Sequence, residues 1–255
     1  MTSYPVKAIK VSHDVIETLV DRGTIGVTEV ATALDIPKST AYDHLRTLEQ
    51  VGYVVNDDGT YRLSTQFLHI GEVARNNHEL FVRGRDEALE LVEATDERAH
   101  VQLVTEESRR CAVLIATRWQ RANLQPQATQ TYPTRIQLHT NAPGKAILAH
   151  KDDETVERIL REDDLQERTP NTITDEAELC ADLDRIREDG YAVDDGELIA
   201  GMAGIAAPIV TEDEVRGSIA IYCASDRLDT DLRESEFVDM VRETAREIRA
   251  NFIFT

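Results

Sequence analysis

Apolar residues recur at helical spacing through the first part of the chain. In SHDVIETLVDRG, Val15, Ile16, Leu19 and Val20 fall on one face, which predicts a helix that Gly23 stops. VTEVATALDI repeats the pattern, with Val30, Ala31 and Leu34 turned inward and Thr28 as the candidate N-cap. Ile36-Pro37 breaks the run. A third helix then runs from about Lys38 to Val51, with Ala41, Leu45 and Leu48 on its inner line and Gly52 at its end. YVVNDDGTYRL alternates apolar and polar residues around Asp58-Gly59, the signature of a tight hairpin.

From Thr65 to Leu80, TQFLHIGEVARNNHEL is helical in spacing but interrupted by Gly71 and by Asn76-Asn77-His78, and it reads as a connecting helix. Beyond it, predicted helices over 82–95, 142–150, 175–189 and 230–250 mix with predicted strands over 99–104, 111–116, 204–210 and 215–223. SIAIYCA alternates residue by residue, whereas FVDMVRETAREIRANF keeps a helical period. The pattern predicts an α+β fold around a mostly antiparallel sheet, with boundaries at 1–64, 65–80 and 81–255.

Two short helices joined by a tight turn, the second polar on one side and followed by a hairpin, form the winged helix-turn-helix arrangement. A helix about 10–12 Å across enters a major groove about 12 Å wide, so its outward side chains reach base edges. Opposite Ala41, Leu45 and Leu48 stand Ser39, Thr40, Tyr42, Asp43 and Arg46, with Lys38 at the first turn, where backbone amides also attract phosphate. Arg62, on the returning strand of the hairpin, is a candidate phosphate or minor-groove contact. Asp43 works against the reading by repelling phosphates, but a carboxylate also accepts from the cytosine N4 amino group. The alternative is a metabolite-binding protein whose winged unit makes protein contacts instead.

Charge sharpens this picture. The 255 residues hold 48 acidic against 28 basic side chains, a net charge of −20, and only five lysines. Residues 1–65 carry six basic and nine acidic residues, so nearly all the excess lies downstream. Dispersed acid, few lysines and 5% aromatics suit a protein of a halophile's cytoplasm, where salt screens self-repulsion; an ordinary acidic cytosolic protein is the alternative. No apolar run reaches a membrane span, and the N-terminus lacks a secretory pattern. Cys111, Cys180 and Cys223 form no Cys-x-x-Cys pair and read as small buried apolar residues in a reducing compartment.

Downstream, HTNAPGKAILAH opens with Thr140 or Asn141 as N-cap and Pro143 in the first turn. Free amides at Asn141, Ala142, Gly144 and Lys145 would suit a carboxylate or phosphate. The alternative is a helix that only packs, with Lys145 on the surface. In ELIAGMAGIAAP, Gly201 and Gly204 allow a close backbone approach. Gly144-Lys145 lacks the phosphate-loop spacing, and the chain has no G-x-S-x-G or H-E-x-x-H motif. His139, Cys223 and Asp194 make a triad only on paper, and the seven histidines show no metal-site spacing. His139 reads as a structural histidine. Catalysis, cofactors and metals are not expected.

VTEVATALDIPKSTAYDHLRTLEQVGYVV…GTYRLS, QLHTNAPGKAILA (137–149), GYAVDDGELIAGMAGIAAPIV (190–210) and SIAIYCAS (218–225) together resemble the IclR-type transcriptional regulators. The resemblance runs through both domains in the family's order. It implies a GAF-like C-terminal sensor domain that binds a small effector, and assembly into dimers or dimers of dimers on double-stranded operator DNA. By position it implies effector contacts at Ile136, Ala142, Pro143, Asp194, Met202, Gly204, Ala220 and Tyr222. At 220 and 222 the family often has serine, so Ala220 and Tyr222 imply a smaller or more apolar pocket with one phenolic hydroxyl. Family effectors are similar in being small organic acids, aromatic metabolites or sugar derivatives, which implies a compact anion here.

Overall fold

The computed structural model describes residues 4–95, 99–116, 135–163, 165–212, 214–228 and 231–254. Its contacts divide the chain between Asn76 and Asn77 into two units.

The first unit begins with helix α1 (Lys7–Arg22), which starts earlier than the apolar pattern predicts. Val15, Thr18 and Leu19 are its buried residues. Val20 is 58% exposed, because one residue past Leu19 is a turn of about 100° off the buried line. Helix α2 (Val27–Leu34) is capped by Gly26, whose amide donates to the Glu29 carboxylate at 2.8 Å, so Thr28 lies inside the helix instead of capping it. Asp35 in the left-handed region ends α2, and Pro37 opens helix α3 (Lys38–Gln50). Ala41, Leu45 and Leu48 are buried from α3, as their spacing predicts.

Strand β1 (Ile25–Gly26) pairs with β3 (Thr60–Leu63), which pairs with β2 (Val54–Asp57) to complete a three-stranded wing. The hairpin turns on Asp58 and Gly59, both at positive φ (49° and 89°), the geometry that matches a two-residue turn to strand twist. The helix predicted over 65–80 is helix α4 (Gln66–Asn76) and the start of helix α5 (Glu79–Ala94). Gly71 does not interrupt it. The break comes at Asn77-His78, where the His78 ring accepts the Leu80 amide as the α5 cap.

The second unit is built on one antiparallel sheet of six strands. In chain order they are β4 (His100–Glu107), β5 (Arg110–Ala116), β6 (Arg135–Gln137), β7 (Ala192–Asp195), β8 (Met202–Thr211) and β9 (Glu214–Ala224). In space they run β6-β5-β4-β9-β8-β7. Alternation along β8 and β9 splits the core in two. Ile205, Ala207, Ile209, Ile219, Ile221 and Cys223 face α5 and the last helix. Ala206, Ala220 and Tyr222 face the opposite layer. That layer holds helices α6 (Ala142–Leu148), α7 (Asp153–Asp163) and α8 (Glu176–Asp189). The short helix α9 (Ser225–Leu228) precedes the last one, α10 (Asp231–Phe254); residue 230, its expected start, lies outside the described residues. Cys111 and Cys223 are buried but Cys180 is exposed on α8, against the sequence reading. Burial pushes the Cys111 thiol up to about 12, so it stays protonated and inert.

Candidate functional site

In the first unit, burial of Ala41, Leu45 and Leu48 turns the opposite side of α3 outward. Lys38, Ser39, Tyr42, Asp43 and Arg46 are exposed there and Thr40 is half-buried. Among the described residues none of these side chains is tied up in a hydrogen bond or ion pair. His44 is different: its Nδ1 meets the Ser12 hydroxyl at 2.8 Å, pinning α3 to α1. Arg62 is exposed on β3 and shares its charge with Asp57 across the hairpin at 3.3 Å.

In the second unit the eight expected effector contacts gather at one place. Asp194, Gly204 and Tyr222 stand in one row across β7, β8 and β9, as the pairings Asp194↔Gly204 and Gly204↔Tyr222 require. Gly204 lacks a side chain, so the Tyr222 ring lies over its backbone; a Cβ at 204 would sit 2.3 Å from the ring. The Tyr222 hydroxyl crosses β8 and donates to Asp194 Oδ2 at 3.1 Å. It accepts the Ala142 amide at 3.2 Å. Ser218, on the same face of β9, donates to the Pro143 carbonyl at 3.1 Å. Ile136, Ala142, Ala220 and Tyr222 belong to one buried cluster, and Met202 packs at its margin.

Two expectations are corrected here. The α6 amides are not open to an anion, because Asn141 Oδ1 accepts the Gly144 amide at 2.9 Å and Tyr222 takes that of Ala142. Nor is Lys145 on the surface. It is 1% exposed, and its ammonium meets Glu197 at 2.5 Å and Asp182 at 3.0 Å. This buried group escaped the sequence reading, although a lone lysine inside the apolar run APGKAILA was a signal for it.

The electrostatics follow from burial. Burial pushes the Asp194 carboxyl up to about 6 against the pull of the Glu197 amide and Lys145. It pushes Glu197 up to about 7, with Lys145 opposing and Asp194 adding to the rise. Burial alone would raise Asp182 too, but Lys145 and Arg185 outweigh it and hold that carboxyl below its usual range. One ammonium therefore serves two carboxylates unequally, and Asp182 fares better because Arg185 backs it at 2.6 Å.

The arrangement does no nucleophilic chemistry. His139 is buried with its Nε2 against the Gln166 carbonyl at 3.3 Å, as a structural histidine, and Cys223 faces the other side of the sheet from Asp194. A cavity of about 300 Å³ lies at the far ends of β4 and β9, lined by Thr105, Lys151 and Arg216, and none of the eight expected residues borders it.

Comparison with known proteins agrees in both units. Residues 12–58 match the model of the IclR helix-turn-helix domain, and residues 76–250 match that of the bacterial transcriptional regulator IclR C-terminal domain. The probable HTH-type transcriptional regulator ArcR of Halobacterium salinarum is 33% identical over 238 residues, covering 92% of this chain and 89% of that protein. The crystal structure of an IclR transcriptional regulator from Alicyclobacillus acidocaldarius superposes with a TM-score of 0.79 at 24% identity, over 97% of this chain and 99% of that one. An IclR homologue from Microbacterium hydrocarbonoxydans, complexed with 4-hydroxybenzoate, superposes with a TM-score of 0.75 at 24% identity, over 97% and 100% of the two chains. With a winged helix-turn-helix unit, a six-stranded sensor-type sheet and family matches across both, this chain belongs to the IclR family of transcriptional regulators.

Proposed function

We propose that this regulator binds an inverted-repeat operator in double-stranded DNA as a homodimer or a dimer of dimers, in the cytoplasm, and is switched by a small molecule. The observation that carries it is the outer face of α3, whose Lys38, Ser39, Thr40, Tyr42, Asp43 and Arg46 side chains are committed to nothing within the chain. Ser39, Thr40, Tyr42 and Arg46 reach base edges, Lys38 and Arg62 meet phosphates, and Asp43 accepts from a cytosine amino group. The family is one of transcriptional regulators, not of enzymes.

The effector binds between α6 and the β7–β8–β9 row, in contact with Ile136, Ala142, Pro143, Asp194, Met202, Gly204, Ala220 and Tyr222. Their gathering on one face supports this, as does 4-hydroxybenzoate in a homologue of the same fold. Residues 65–80 connect the two units and transmit the effector's differential affinity for two arrangements of the DNA-binding pair. A coupling of about 1–3 kcal/mol changes operator affinity roughly 5–150-fold. Self-association is supported by α4, where no residue is buried and Leu68 and Ile70 are exposed. A salt-rich cytoplasm is supported by the net charge of −20, the five lysines and the Halobacterium relative.

In molar salt, counterion release adds little, so base contacts carry a larger share of affinity. Crosslinking the protein in its cells and sequencing the bound DNA tests the proposal. Sharp peaks sharing an inverted repeat are expected, and Arg46→Ala is expected to abolish them. Peaks unchanged in Arg46→Ala would remove α3 from the DNA interface.

A further inference from the structure

The effector place between α6 and the β7–β8–β9 row already has an occupant, and the occupant's chemistry points to the effector's. This step rests on the proposed function above. The Tyr222 ring lies flat over Gly204, and both Tyr222 and Asp194 are 1% exposed. Its hydroxyl bridges two fixed groups, accepting from the Ala142 amide at 3.2 Å and donating to Asp194 Oδ2 at 3.1 Å. Asp194 is itself anchored, with Oδ1 accepting the Glu197 amide at 2.7 Å.

A molecule that takes this position meets a donor on one side and a carboxylate on the other. A hydroxyl satisfies both, because it accepts and donates at once. A carboxylate accepts only, and would set its lone pairs against those of Asp194. The neighbouring charges point the same way. Lys145 is already shared by Glu197 and Asp182. Glu197 Oε2 is buried with no hydrogen-bond partner among the described residues. Three carboxylates therefore surround one ammonium, and an incoming anion finds no spare positive charge in the cluster. The slot itself is flat, because Gly204 leaves room for a ring face and for nothing thicker.

We propose that Tyr222 is a tethered stand-in for the effector, and that the effector is a small phenol whose hydroxyl replaces that of Tyr222 between the Ala142 amide and the Asp194 carboxylate. The place is thus tuned away from the compact anion that the family resemblance implies. Asp194 is the residue that determines this specificity. In the wild type, phenol competes with a side chain held at high local concentration, so binding is weaker than in a chain from which that side chain is gone.

The test titrates full-length Tyr222→Ala calorimetrically with phenol and with benzoate, the same ring bearing a carboxylate in place of the hydroxyl. Phenol is expected to bind saturably and more than about tenfold tighter than benzoate, since a site built for a hydroxyl rejects its misfit analogue strongly. The wild type is expected to keep the preference at higher phenol concentration. Tyr222→Ala combined with Asp194→Ala is expected to lose it. Benzoate binding as tightly as phenol to folded Tyr222→Ala would overturn the inference and leave the effector place standing. Binding of neither would overturn both. Operator binding by the same preparations reports separately on the DNA-reading unit. Should Tyr222→Ala not fold by circular dichroism, Tyr222→Ser and the wild-type titration carry the same outcomes.

Discussion

Asp194 and Tyr222 stand two strands apart in one row of the sheet, and the hydroxyl of one reaches the carboxylate of the other at 3.1 Å because Gly204 lies between them. Strands in a sheet are about 4.8 Å apart, so the phenol must lie almost parallel to the sheet to bridge two spacings. Any side chain at 204 lifts it. Gly204→Ala, with its Cβ at 2.3 Å from the ring, is expected to break the Tyr222–Asp194 bond. Overpacking of this kind costs about 1–3 kcal/mol. Denaturant unfolding of the purified protein would show a lowered midpoint with an unchanged slope. An unchanged midpoint would mean the ring is free to move.

The buried Lys145 gives a second prediction. Its ammonium is 1% exposed and is the countercharge that Glu197 and Asp182 share. Lys145→Met keeps the apolar stem but leaves two carboxylates in the interior, and breaking a buried pair from one side costs about 3–5 kcal/mol. Adding Glu197→Gln should recover part of that loss, because the group left unpaired is then neutral. The double-mutant cycle measures the coupling. Losses that simply add would show that water already screens the pair.

Acid carboxyls raised by burial also fix the sign of a pH effect. Asp194 is pushed up to about 6 and Glu197 to about 7. Between their ordinary values and these, the folded chain binds more protons than the unfolded one. Stability from these two groups is therefore present in full below the ordinary carboxyl range and is lost as pH rises through 6 and 7. Asp182, held low, works in the opposite direction only in stronger acid. Thermal unfolding of the second unit at constant ionic strength is expected at higher temperature at pH 5.5 than at pH 8. Glu197→Gln is expected to flatten the profile, at roughly 2–4 °C per kcal/mol removed for a unit of this size. A profile that rises from pH 5.5 to 8, or that Glu197→Gln leaves unchanged, would contradict it.

Local signals account for what was legible in the sequence. Ala41, Leu45 and Leu48 mark the buried line of α3, Asp58-Gly59 marks the hairpin, and the two periods in the second half separate strands from helices. Short edge strands such as β1, β6 and β7 gave no such signal, because two to four residues cannot display a period. Helix α7, whose apolar residues are outnumbered by charges, was missed for a related reason. Candidate contacts such as Asp194, Gly204 and Tyr222 could be named from the family resemblance alone. That they form a row depends on strand register, which is set by pairings between residues far apart in the chain. The same is true of Lys145 with Glu197, whose partnership spans 52 positions.

Helix α4 carries the last prediction. Ordinary surface helices bury one stripe, yet no residue of Gln66–Asn76 is buried within the chain. Leu68 is 75% exposed, and Ile70 is exposed beside it. Water contact with that apolar surface costs about 25 cal/mol per Å², and a second copy of the chain removes it. The double variant Leu68→Glu, Ile70→Glu should therefore weaken self-association while leaving the folded units intact, since neither side chain supports the core of the first unit. Sedimentation or light scattering at molar salt is expected to report a smaller species, with unchanged circular dichroism. Operator binding should fall with it, because an inverted repeat is read by two recognition helices held at a fixed spacing. An oligomer that keeps its mass in this variant would move the interface away from α4.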